Sequence, residues 1–283
     1  MSLAPLEAIH QQLQAGTLVP YLGPGALAGV TDLDNGEPLP VDSDSLILAM
    51  NNGRALSPRL MYEFPRAAMH LEQRRGRAFL EFFLNRLYGE RRWSRAPVHD
   101  WLAGFDLPYI IDTNRDTQLL DSYADQPHLL IVGTARVMGT DYRFVIYQSD
   151  GGDYREVTQE TADWQRPVLF KPMGAPRPEP QYIASDADYV DYLTELMGGF
   201  AIPGPMKAHR RGLNYLFLGL RFLRDTERML VTDICRDAGE PMGWAVIEEP
   251  TAKERRFCER QGITLVEAPL EAVMASETDA LVV

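Results

Sequence analysis

The last third of the chain constrains the fold most tightly. Leu213 to Gly219, Trp244 to Ile247 and Ile263 to Val266 are short apolar runs bounded by polar, Gly or Pro residues. Helical patterning fills the gaps between them. Arg224 to Asp237 follows the first run, Thr251-Ala252-Lys253-Glu254 is a capping box that opens the next helix, and a short helix starts from Pro269. Strands alternating with helices of this length build βα units. Such units give a parallel sheet covered on both faces.

The first two thirds supply the remaining elements. Leu3, Leu6, Ile9 and Leu13 recur at helical spacing, and Gly16 closes that helix. Thr17 to Leu22 reads as a buried strand running into Gly23-Pro24-Gly25, and a loop rich in Asp, Gly and Pro continues to about Ser43. Ser45 to Tyr88 is helical in pattern, with Leu60, Phe64, Ala68, Leu71, Phe79, Phe82, Phe83 and Leu87 as the apolar positions. Pro97 opens a helix holding Val98, Trp101 and Leu102, and Leu107 to Ile111 is a second buried strand. Leu129 to Val132 and Tyr142 to Tyr147 are strands around turns at Gly139-Thr140-Asp141 and Asp150-Gly151-Gly152. Val168 to Lys171 is a third core strand. Ser185-Asp186-Ala187-Asp188 is a capping box, with Asp188 reaching back to the first amide of a helix through Met197, and Gly198 to Pro205 is a linker.

The expected fold is therefore α/β: a Rossmann-like parallel sheet with helices on both faces, in a single domain. Its Rossmann core takes residues 1–43, 96–126 and 163–283. A helical insertion spans about 44–95, and a β excursion of about 127–158 occupies the segment 127–162.

Charge and cysteine content exclude several functions. Lys and Arg number 28 against 40 Asp and Glu, a net charge of −12. A sequence-independent grip on nucleic acid needs a basic surface that displaces counterions, so no nucleic-acid partner is expected. Arg74-Arg75-Gly76-Arg77, Arg91-Arg92 and Arg210-Arg211 read as solvated helix faces. Two cysteines, Cys235 and Cys258, make neither a disulfide framework nor a four-thiolate zinc site, and suit helix positions in a reduced compartment. No basic flank precedes an apolar core at the N-terminus, and no run of 18 apolar residues occurs. A cytoplasmic protein with no membrane partner is the expectation.

In an open parallel sheet, ligands bind beyond the carboxyl ends of the strands where strand order reverses. Gly23-Pro24-Gly25-Ala26-Leu27-Ala28 fits the dinucleotide fingerprint with Ala in third place. That fingerprint needs a tight turn and then a residue without Cβ, so that pyrophosphate can approach the backbone. Pro24 has no N–H to donate, however, and a plain Gly-Pro turn explains the same residues. Asp112-Thr113-Asn114-Arg115-Asp116 follows the second strand. It serves either as turn and cap chemistry, or with Asn114 orienting a ribose or water and Asp116 accepting from a carboxamide. Pro172-Met173-Gly174 follows the third strand, and Leu220, Arg221 and Asp225 follow Gly219.

Taken in order, these segments resemble the prokaryotic sirtuin-like (SIR2-like) family, the defence-associated relatives of NAD-dependent deacylases. The glycine loop after its val-pro-phe strand resembles Val19-Pro20-Tyr21-Leu22-Gly23-Pro24-Gly25, and its his-x-x-leu helix resembles His99-Asp100-Trp101-Leu102. Its thr-asn-tyr-asp is similar to Thr113-Asn114-Arg115-Asp116, and its lys-x-his-gly to Lys171-Pro172-Met173-Gly174. Ser185-Asp186-Ala187-Asp188-Tyr189 resembles the thr-x-x-asp-tyr helix start. Phe217-Leu218-Gly219-Leu220-Arg221-Phe222-Leu223-Arg224-Asp225 resembles phe-leu-gly-tyr-ser-x-x-asp.

The resemblance implies an NAD cleft formed by Gly23, Gly25, Ala26, Thr113, Asn114, Asp116, Gly219, Arg221 and Glu248. In active relatives NAD is split at the nicotinamide–ribose bond, the asparagine and aspartate holding the ribose and carboxamide while a histidine acts as base. Asn114 and Asp116 are the catalytic candidates here. The histidine position holds Met173, whose thioether takes up no proton at neutral pH, forfeiting an acid–base contribution of typically 10²–10⁴-fold. Leu27 and Arg221 stand where the family usually has serines. His10, His70 and His99 read as structural or surface residues, and His128 and His209 have no evident place at the cleft. Without cysteine pairs there is no zinc ribbon, so no metal and no peptide deacylation are expected.

Three readings follow. The first is a sirtuin-like protein that binds NAD, ADP-ribose or a related adenine nucleotide with impaired or absent catalysis, acting as a sensor or as a module for a protein partner or a second copy. The second is an NAD glycohydrolase of the antiphage type. The third is an interaction protein whose cleft has collapsed.

Overall fold

The structure is a computed structural model that describes residues 4–137 and 142–275. Its eleven strands are β1 (Leu18–Leu22), β2 (Tyr109–Asp112), β3 (Pro127–Gly133), β4 (Phe144–Asp150), β5 (Tyr154–Val157), β6 (Val168–Lys171), β7 (Gly174–Ala175), β8 (Gln181–Tyr182), β9 (Asn214–Leu218), β10 (Gly243–Val246) and β11 (Ile263–Val266). Nine form one sheet in the order β11-β10-β9-β1-β2-β6-β3-β4-β5, and β7 pairs with β8. Every pairing from β11 across to β3 is parallel, and β4 and β5 add an antiparallel edge. This is the Rossmann-like α/β arrangement expected from the strand–helix alternation. Leu3 and the turn Gly139-Thr140-Asp141 lie outside the described residues.

The central strands are apolar throughout because both sheet faces are covered. Every residue of β1, β2 and β6 is buried. Alternate side chains serve different cores, as the pleat requires. Val19, Tyr21, Tyr109, Ile111, Phe170, Tyr215 and Phe217 pack with Tyr192, Leu196, Val231, Ile234 and Phe257 from three helices on one face. Leu18, Leu22, Ile110, Leu169, Leu216 and Leu218 pack with Ile9, Leu13, Val98, Leu102 and Leu119 on the other. Cys235 and Cys258 are free and buried, and burial pushes both thiols above their ordinary range.

β1 lies between β2 and β9, so the chain order reverses across it. Tyr21 and Leu22 register with Ile111 and Asp112 on one side, and with Phe217 and Leu218 on the other. The loops leaving β1, β2 and β9 therefore emerge together at the switch point, where open α/β sheets bind ligands.

The helical insertion packs its own core of Leu46, Ile47, Phe64, Ala68, Leu71, Leu80 and Leu84 against Tyr182 and Ala184. Ion pairs tie it to the helix Asp186–Gly198 and to the segment after β3, where Arg136 lies 2.8 Å from Glu72. Arg77 Nη1 lies 2.6 Å from Asp188 Oδ2, and Arg77 Nη2 donates to the Tyr182 carbonyl at 3.0 Å. Asp188 is fully buried and also accepts from the Ala184 and Ser185 amides, which completes the capping box of the helix Asp186–Gly198. Two arginines thus depart from the expected solvated faces. Arg77 is turned on to a buried carboxylate, and Arg210, only 7% exposed, donates to the carbonyls of Asp233 and Ile234 at the end of a helix. Each guanidinium is drawn in by groups that need donors, a buried carboxylate in one case and terminal helix carbonyls in the other.

Candidate functional site

The strand ends at the switch point carry two distinct assemblies. The first is a buried polar cluster. Asp112 ends β2, Lys171 ends β6, and their Oδ2 and Nζ lie 2.8 Å apart with both side chains fully buried. His99, also fully buried, comes from the helix Pro97–Leu102, its Nε2 3.6 Å from Asp112 Oδ2. Burial alone pushes the Asp112 carboxyl up. The adjacent Lys171 charge and His99 more than offset that and hold it well below the usual carboxylate range.

Asn114 is locked into the same cluster. Its Nδ2 donates to the Gly23 carbonyl at 3.0 Å and to Asp112 Oδ1 at 2.9 Å, so the carboxamide N–H groups are spent on the protein. Thr113 donates through its amide and hydroxyl to the Leu22 carbonyl, fastening the β2 loop to the end of β1. Asp116 is 1% exposed; its Oδ1 accepts from the Gln118 amide at 2.7 Å, while Oδ2 is buried without a partner. Both ring nitrogens of His99 are likewise buried, with Nε2 meeting Asp112 only at 3.6 Å, beyond ordinary hydrogen-bond length. Met173 is 2% exposed and belongs to the apolar core.

His99, Asp112 and Asp116 bring donor atoms within 4.8 Å of one another, a set of the type that holds a divalent cation. The Lys171 ammonium already touches one of these carboxylates, so a metal ion would share it against like-charge repulsion.

The second assembly is an open cleft of about 650 Å³ over the ends of β1, β9, β10 and β11. Gly25, Gly219, Arg221 and Glu248 line it. Its apolar surface includes Val41, Leu223, Val246 and Ile247. Gly23, Ala26, Thr113, Asn114 and Asp116 are not among its lining residues. The candidate residues thus divide into a cleft group and a buried group. Gly23 joins the two, its N–H donating to the Leu218 carbonyl and its own carbonyl accepting from Asn114.

The first glycine loop packs against the second. A Cβ on Gly25 would lie 2.9 Å from Gly219 Cα, and one on Gly219 only 2.2 Å from the Ala26 nitrogen. Gly25 donates to the Gly219 carbonyl at 2.8 Å, Ala26 to Gly23, and Ala28 to Gly25. Pro24 to Leu27 form a single 3-10 turn. The glycines permit close approach of loop to loop, which is the plain Gly-Pro turn reading of the fingerprint. The amides of Gly23, Gly25, Ala26 and Ala28 all have protein acceptors. This loop does not fit a pyrophosphate cradle.

Arg221 makes a two-pronged pair with Glu254, a fully buried carboxylate that also caps its own helix. Those bonds to Arg221 and Thr251 hold the Glu254 carboxyl down despite the upward push of its burial. The Arg224 guanidinium stacks 4.0 Å over the Tyr62 ring.

A family model described as the SIR2-like domain matches residues 108–266. The chain belongs to the SIR2-like family. That match spans β2 through β11 and so includes Asp112, Asn114, Asp116 and Lys171 of the buried cluster and the cleft residues from Gly219 to Glu248, but not His99 or the β1 loop. No curated protein matches this SIR2-like chain. Sequence reasoning missed the Asp112–Lys171 pair, although a signal existed: each is a charged residue closing an otherwise apolar strand. It also left aside Asp42, Glu227 and Asp44, which reach the cleft from the insertion and from a helix start.

No helix among the described residues is long and apolar enough to cross a membrane. Three other histidines have local roles. His10 bonds the Val273 carbonyl, and His128 bonds the Gln126 carbonyl and the Tyr154 hydroxyl. His209 packs against Tyr109.

Proposed function

We propose that this SIR2-like chain binds the adenosine portion of an NAD-type ligand in the 650 Å³ cleft and does not turn it over. The volume falls within the roughly 300–1,000 Å³ of small-molecule sites, and apolar walls with a few polar groups suit a base and a ribose. Glu248 stands just past β10, beside the glycine-bearing loop of β9, where a carboxylate can accept from ribose hydroxyls.

One observation carries the non-catalytic part. Asn114 and Asp116, the residues that would meet the nicotinamide end, are buried away from the cleft, with the Asn114 amide committed to Gly23 and Asp112. The output is then the bound state itself, read by a partner or a second copy of the chain.

Thermal unfolding with adenosine, AMP, ADP-ribose and NAD at millimolar concentration tests the reading, alongside nicotinamide release from NAD. Ligand at a hundred times its Kd adds about 2.7 kcal/mol to stability. Stabilisation by at least one of the four without nicotinamide release is expected. No shift with any of them removes the binding claim, and nicotinamide release removes the non-catalytic claim.

A glycohydrolase reading rests on a different observation. His99 lies in the same cluster as Asp112 and Asp116, supplying an imidazole near the strand end that carries Met173. Release of nicotinamide that is lost in both His99→Ala and Asn114→Ala would favour it.

A further inference from the structure

We infer that the cleft selects a phosphate-free nucleoside, neutral or cationic, over the corresponding nucleotides. The inference rests on the reading above that the cleft takes an adenosine group, and departs from it in disfavouring the phosphates of an NAD-type ligand.

Three observations carry it. The first concerns the β1 loop, where phosphate would be expected. Four of its amides are taken by protein carbonyls, Pro24 has none, and the space a glycine leaves beside Gly25 is filled by Gly219. Anion binding at such a loop depends on free N–H groups and an approachable backbone, and neither remains.

The second is charge. Asp42, Asp44, Glu227, Glu248 and Glu271 line the cleft, against only Arg221 and Arg224. Arg221 is already neutralised by Glu254. A phosphate dianion entering this lining meets repulsion from several carboxylates in a partly desolvated space, where charges interact more strongly than in bulk water.

The third lies at the two helix starts on the rim, which would otherwise favour an anion. The helix Ser43–Met50 is capped by Asp42, which accepts from the Ser45 amide and hydroxyl at 2.8 Å. At the helix Asp225–Ile234, Glu227 accepts from the Arg224 amide at 3.2 Å. The protein's own carboxylates hold the positions an anionic ligand would take.

What remains suits a nucleoside. The side chains of Leu220, Arg221 and Leu223 line the cleft beyond β9. The surplus carboxylates accept from ribose hydroxyls or face a cationic base.

Calorimetric titration of the full chain with adenosine, AMP, ADP-ribose and NAD, at low and at moderate salt, tests this. Adenosine is expected to bind at least tenfold more tightly than AMP or ADP-ribose at low salt, the gap narrowing as salt screens the repulsion. Asp44→Asn combined with Glu271→Gln is expected to narrow the same gap by improving AMP binding. AMP, ADP-ribose or NAD binding more tightly than adenosine overturns the selectivity and leaves the proposed cleft standing. Absence of binding by all four removes the cleft reading itself and the inference with it.

Discussion

Lys171 Nζ sits 2.8 Å from Asp112 Oδ2, with neither side chain reaching solvent. The pair bolts the ends of β6 and β2 together directly beneath the loop that carries Asn114. Charges removed from water this completely are held by each other, and each becomes costly when left alone.

Lys171→Met is therefore expected to lower stability at pH 7 by about 3–5 kcal/mol, measured by denaturant unfolding. Its pH dependence carries a sign. In the native protein Asp112 is held below the usual carboxylate range, so its contribution is present above about pH 4 and is lost only at more acid pH. Without Lys171, burial raises the carboxyl instead. The deficit should then be greatest at neutral pH and shrink as the pH falls and Asp112 takes a proton. Combining Lys171→Met with Asp112→Asn should recover much of the loss.

Arg77→Met probes the joint between the helical insertion and the helix Asp186–Gly198. It removes one cation from the buried Asp188 carboxylate but leaves Arg136 and two amides on it, so a loss of about 1–3 kcal/mol is expected. Burial pushes Asp188 up, yet its bonds from the Ser185 amide and Arg77 hold it below the ordinary range. Its stabilising contribution is thus present above the unfolded carboxylate pKa and lost as the pH falls through the lower folded value. Removing Arg77 should move the acid-unfolding midpoint, followed by circular dichroism, to higher pH.

Two glycines with positive φ should respond differently to alanine. Gly219 has φ +68° and no room, since the new Cβ would meet the Ala26 nitrogen at 2.2 Å. Gly29 has φ +80° and nothing within 4 Å. Gly29→Ala is expected to cost about 1–2 kcal/mol of left-handed strain alone. Gly219→Ala should cost more, by separating the two glycine loops. Equal losses in thermal unfolding would count against the loop-on-loop contact.

Ala28→Trp addresses the cleft without touching the core. Ala28 is exposed and lines the cleft, so the indole should fill space intended for ligand and leave unfolding without ligand within about 0.5 kcal/mol of the parent. Ligand-induced stabilisation should disappear in this variant. Its persistence would show that the ligand binds elsewhere.

Much of the architecture was legible in the residues. Short apolar runs separated by helical patterning required a parallel sheet, and the capping boxes at Ser185 and Thr251 marked helix starts to within a residue. The SIR2-like resemblance was legible through motif order. The division of the site was not. Asn114 and Gly219 both follow strands, and nothing along the chain says that one is sealed beneath a loop while the other opens on to a cleft.

The sequence by itself determined the elements and their faces, because helix and strand periodicity and cap chemistry act between residues close together in the chain. Only the tertiary structure decided which glycine amides were already bonded, which carboxylates converged on the cleft, and that Lys171 would meet Asp112. Those outcomes depend on strand register and loop packing between segments tens of residues apart, where a shift of a few ångströms separates a ligand's place from a side chain's.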